Sequence, residues 1–100
     1  MTKFGELIDV DIPVLINFYQ QDKNTDTVLK TLKDISATVG AKAKIIKIDV
    51  AKNETLAEAL KIKGTITYVI YKGGEMKWRQ NGELNAEVLV DVLQEFIQLV

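Results

Sequence analysis

One hundred residues, 47% apolar and 27% charged, are enough for one soluble domain that buries roughly two-thirds of its unfolded surface without metal or disulfide support. Thirteen basic and fourteen acidic side chains leave a formal charge of −1, too weak a field to collect nucleic acid or anionic lipid, so no nucleic acid and no membrane is expected as a partner. The chain has neither cysteine nor histidine, which excludes thiolate nucleophiles, disulfides, imidazole bases and the common zinc and copper ligands together. No metal and no cofactor is expected.

In chain order, "KFGELIDVD" places Phe4, Leu7 and Ile8 at helical spacing and predicts a short first helix that packs on something larger. The stretch "MTKFGELIDV" lacks the apolar core of about 7 to 15 residues that a secretory signal needs. No apolar run nears the ~20 residues that span a bilayer, so the expected location is cytoplasmic. "IPVLINFY", opened by the only proline, reads as a strand buried on both faces, residues 13 to 19. Val28, Leu29, Leu32, Ile35 and Val39 then form one helical stripe, with Gly40 placed for a left-handed C-terminal cap. "KAKIIKIDV" supplies a second apolar strand around residues 44 to 50. In "NETLAEALKI", Asn53 is the expected N-cap of a helix burying Leu56 and Leu60.

"TITYVIYKGGEMKWRQNG" changes period from helical to alternating, and its paired glycines suit a tight turn, so a β-hairpin is predicted. Ile66, Tyr68 and Ile70 share one face of its first strand; Met76 and Trp78 alternate with Glu75, Lys77 and Arg79 in the second, the charged pattern of a guarded sheet edge. Asn85 is the expected cap of a last helix with Val88, Leu89, Val92, Leu93, Phe96, Ile97 and Val100 as its apolar stripe. A right-handed strand–helix–strand unit, a hairpin and a covering helix make an α/β domain over residues 1–100, with a mixed four-stranded sheet and helices on both faces.

"PVLINFY", "KIIKIDVAKN", "KIKGTITYVIYKGGE" and "WRQNG", in this order and spacing, resemble the corresponding segments of the thioredoxin family over nearly the whole chain. The resemblance implies a thioredoxin-like fold with strand order 2-1-3-4 and an antiparallel hairpin. In that family the redox work is done by W-C-G-P-C at the start of the helix after the central strand. Here that position holds "QDKNT", so Asp22, Lys23, Asn24 and Thr25 occupy the place of the two cysteines and the residues between them. A dithiol acts through a thiolate held at a helix N-terminus, and neither Asp22 nor Thr25 supplies one. Thioredoxin-type disulfide oxidoreductase activity is therefore expected to be absent.

Three further departures accompany the missing sulfur. Gln21 stands for the family's tryptophan. Ile66 stands for its cis-proline, and because a cis bond before a non-proline costs ~2.5–4 kcal/mol, the Thr65–Ile66 bond is expected to be trans. Asn17 stands for its buried aspartate, and an amide has no proton to trade near neutral pH.

The remaining candidates have plainer readings. Asp22 reads as an N-cap rather than a catalytic acid, and Lys23 as an exposed charge, since a Schiff-base lysine needs an apolar pocket or a neighbouring cation. Lys47 and Asp49 read as a strand-end ion pair or solvated charges. Tyr68, Tyr71 and Trp78 read as sheet packing, and Gly73–Gly74 as a hairpin turn rather than a phosphate loop. The functional expectation is a redox-inactive thioredoxin-like domain that binds a protein or peptide. By resemblance, its surface comprises Gln21, Asp22, Lys23, Thr65, Ile66, Gly82 and Glu83. The alternatives are an obligate subunit of a homo- or hetero-oligomer, and a non-redox enzyme using Asp22 and Lys23 as an acid–base pair.

Overall fold

The computed structural model describes residues 4–20, 25–62, 66–82 and 84–97, the side chains of Thr25 and Thr27 excepted. Four strands, β1 (Val14–Tyr19), β2 (Lys44–Asp49), β3 (Thr67–Lys72) and β4 (Glu75–Asn81), form one sheet of order β2-β1-β3-β4. Four helices accompany them: α1 (Phe4–Ile8), α2 (Thr25–Val39), α3 (Glu54–Ala59) and α4 (Ala86–Ile97). Single 3₁₀ turns at Gly40–Lys42 and Val50–Lys52 follow α2 and β2. β1 runs parallel to β2 and antiparallel to β3, and β3 is antiparallel to β4. The α/β class, the strand order and the layering are those read from the sequence.

β1 is buried at every position because it is paired on both edges and covered on both faces. Its alternate side chains serve two cores. Leu15 and Tyr19 join Tyr68 and Ile70 of β3 under Val28, Leu32 and Ile35 of α2 and Leu89, Val90 and Leu93 of α4. Val14, Ile16 and Phe18 join Val69 and Tyr71 against Ile8 of α1, with Leu56 and Leu60 around α3 packed at the margin. Each large apolar side chain so enclosed contributes ~1.5–3 kcal/mol. The ring of Phe4 meets that of Tyr71 edge-on at 5.4 Å, so the tyrosine is a packing residue, as expected.

Several expectations at the margins are corrected. β2 is only half-buried over Lys44–Ile46, because it is a sheet edge, and Val50 belongs to the following 3₁₀ turn. Leu29 and Val88 lie at the borders of their helical stripes and are exposed, while Val90, absent from the predicted stripe, is buried. Leu56 and Leu60 are half-buried and Ala57 is the enclosed residue of α3. Asn53 makes no side-chain cap; its Nδ2 donates instead to the Asp49 carbonyl at 2.9 Å. In β4 the register places Met76 opposite Tyr71 but Trp78 opposite Ile70, with an irregularity between them. That bulge turns Met76 and Trp78 to different faces, and Trp78 alone packs on the α2–α4 core.

The chain reverses between β3 and β4 at Gly73 and Gly74, whose φ values of 62° and 83° require glycine. Their amides donate to the carbonyls of Val10 and Ile8 at 2.9 and 3.1 Å, so the hairpin tip is tied to the α1–β1 connection. Gly40, with φ 58°, caps α2 as expected.

Candidate functional site

The opposite end of the sheet is where the chain leaves β1, β2 and β4 and enters β3, as the strand directions dictate. Gln20, Val50, Ile66 and Gly82 are the described residues next to the strands there, and α2 starts at Thr25 after the chain leaves β1. Gln21, Asp22, Lys23 and Asn24 lie outside the described residues, as do Thr65 and Glu83. So do the Asp22 cap and the Thr65–Ile66 peptide bond.

Of the predicted surface, Ile66 and Gly82 are brought together. The Gly82 amide donates to the Ile66 carbonyl at 2.9 Å, and just inside them the Thr67 hydroxyl donates to Asn81 Oδ1 at 3.3 Å. Gly82 has φ 98°, a conformation that a side chain resists. Ile66 is 3% exposed and its side chain belongs to the α2–α4 core. The Ile66 side chain is therefore committed to the core. An open cleft of about 400 Å³ adjoins this end, lined by Gln20, Val50, Glu54, Glu58 and Ile62 among others.

Asn17 lies in β1 between Lys47 and Tyr68 of the neighbouring strands. It is wholly buried, and neither Oδ1 nor Nδ2 has a hydrogen-bond partner among the described residues. Lys47 is exposed, but Asp49 is neither solvated nor ion-paired with it, contrary to expectation. Asp49 is 8% exposed; its Oδ1 accepts the Ala51 amide at 2.9 Å and caps the 3₁₀ turn, while Oδ2 has no partner among the described residues. The strand end turns this carboxylate inward, where it accepts the Ala51 amide, while Lys47 extends into solvent. Among the described residues no group of three or more acidic side chains could hold a metal ion.

Arg79 lies on the edge strand where the charged pattern placed it, but does more than guard that edge. Its Nη1 donates to the Leu60 carbonyl at 2.6 Å and its Nη2 to the Lys61 carbonyl at 2.9 Å. Arg79 stands opposite Val69, whose face of the sheet carries α3; that pairing is set by register and is not legible in the sequence. Its neighbour Tyr71 has its phenol pushed up from 10.0 by burial and drawn part of the way back by the Arg79 charge.

The thioredoxin family profile matches residues 1–95. Thioredoxin Y1 of Arabidopsis thaliana chloroplasts is 28% identical over 94 residues, which cover 93% of this chain and 55% of that protein. The chain thus spans little more than half the length of that relative. The thioredoxin of Rickettsia felis is 26% identical over 93 residues, covering 92% of this chain and 89% of its own. A solved mutant thioredoxin from Halobacterium salinarum superposes with a TM-score of 0.80 at 27% identity, covering 100% of this chain and 90% of that one. With the strand order, the two-sided core and a profile match over residues 1–95 in agreement, this cysteine-free chain belongs to the thioredoxin family.

Proposed function

We propose that this chain is a redox-inactive thioredoxin-like domain that binds a protein or peptide segment at the sheet end bearing Ile66 and Gly82. The observation that carries the reading is an intact scaffold whose chain contains no sulfur nucleophile, cysteine being absent, while two segments of the expected surface remain joined by the Gly82–Ile66 hydrogen bond. Exchange between a dithiol and a disulfide needs an attacking thiolate. Recognition of an extended segment needs only main-chain donors and acceptors, and strand addition supplies affinity through them. Gln21, Asp22, Lys23, Thr65 and Glu83 complete the proposed surface.

A random-peptide phage library panned on the chain, followed by NMR titration of an enriched peptide, tests this reading. Amide shifts concentrated over residues 20–25, at Thr65 and Ile66, and at Gly82 and Glu83 support it. Shifts confined to the outer face of α4 or the hairpin tip, or the enrichment of no peptide, reject it.

A further inference from the structure

The turn that ends α3 is held in a conformation its sequence does not favour. Lys61 N–H donates to the Glu58 carbonyl at 3.1 Å and Ile62 N–H to the Ala57 carbonyl at 2.8 Å, the paired bonds of a Schellman turn. The residue at its left-handed position is Lys61, with φ 56°, the one described non-glycine residue with positive φ. Glycine usually fills that place because a Cβ there crowds the following carbonyl. A helix as short as α3 has little propagation of its own to hold such an end.

Arg79 supplies what is missing. Its guanidinium fork reaches from β4 across the face of β3 and bonds the Leu60 and Lys61 carbonyls together. These charge-assisted bonds place a cation at the negative end of α3. Three residues on, the amide of Gly82 holds the Ile66 carbonyl at 2.9 Å. β4 and its exit therefore hold the Leu60, Lys61 and Ile66 carbonyls. The neighbouring cation Lys77 is instead engaged with exposed Glu75.

We infer that Arg79 is a positioning residue: by keeping Lys61 left-handed it sets the direction in which the chain leaves α3 and so how the main chain at Ile66 is presented. The consequence for binding rests on the peptide-binding reading above; the clamp itself does not.

Amide hydrogen exchange and affinity for a phage-selected peptide are measured on the whole chain for Arg79→Met, which keeps much of the aliphatic stem and removes the donors, for Arg79→Lys, and for Arg79→Met with Lys61→Gly. In Arg79→Met the amides of Lys61, Ile62 and Gly82 are expected to exchange about tenfold faster or more, while those of β1 stay protected. Peptide affinity falls with them. Arg79→Lys, retaining the charge without the fork, is intermediate. Lys61→Gly restores slow exchange and affinity, because glycine takes a positive φ unaided; undiminished protection of β1 in Arg79→Met separates this from a general loss of stability, which would speed exchange there too. Unchanged exchange at Lys61, Ile62 and Gly82 overturns the proposal, whether or not a peptide binds. Faster exchange with wild-type affinity overturns the link to presentation while leaving the binding reading intact. Failure of the wild-type chain to bind any peptide removes the binding reading, and the exchange rates still decide the clamp.

Discussion

At the scale of single residues, the amide of Asn17 sits fully inside the molecule with both polar atoms unpartnered among the described residues. Leaving a buried donor or acceptor unmatched costs ~1–3 kcal/mol per group, and valine suits a central strand better than asparagine does. Asn17→Val is expected to stabilise the fold by about 1–3 kcal/mol, read as a higher urea midpoint; a lower one would show that the amide is satisfied in the folded chain. Tyr71 yields a pH prediction. Burial raises its phenol above 10.0, so the folded chain keeps a proton that the unfolded chain releases. Its contribution is fully present below pH 10.0 and is lost as the pH rises through the folded value. Between about pH 9 and pH 11, the urea midpoint of Tyr71→Phe should therefore fall less than that of the wild type. Equal slopes would contradict the assignment.

At the scale of elements, two asparagines in the same sequence context have opposite fates. Asn85 caps α4, its Oδ1 accepting the Val88 amide at 2.9 Å. Asn53, preceding α3, spends its side chain on the Asp49 carbonyl. Asn85→Ala should cost ~0.5–2 kcal/mol, measured by thermal melting, whereas a loss of that cap with no effect would place the α4 start under the control of packing alone. The far end of α4 is tied by Lys72 Nζ, which donates to the Phe96 carbonyl at 2.8 Å. Elements with strong periodicity, such as β1 and α2, were legible because both cores repeat their pattern along the chain. The β4 bulge and the half-buried state of β2 were not, because they depend on what lies alongside each strand. Of the candidate site, the structure brings Gly82 and Ile66 together at one sheet end, but the burial of Ile66 and the grip of Arg79 were not readable. Both arise between segments distant in sequence.

At the scale of the whole molecule, the Cα radius of gyration of 12.7 Å matches the ~13 Å of a compact domain of this length, and the sheet shared by both cores accounts for that compactness. No arrangement of its side chains provides a thiolate. In the reduction of insulin by dithiothreitol, adding this chain should leave the rate at that of the protein-free control; acceleration by cysteine-free, contaminant-free protein would overturn the redox-inactive assignment.

Composition and periodicity by themselves determined the layered α/β fold and the lack of dithiol chemistry, because residue types and their spacing are properties of the chain alone; the strand order was implied by the resemblance to the thioredoxin family. Only the tertiary structure decided that Asp49 turns inward onto a backbone turn, that Ile66 buries its side chain in the α2–α4 core, and that Arg79 holds the end of α3. Each of these depends on which groups meet where separate segments pack, and that is settled only when the segments are assembled.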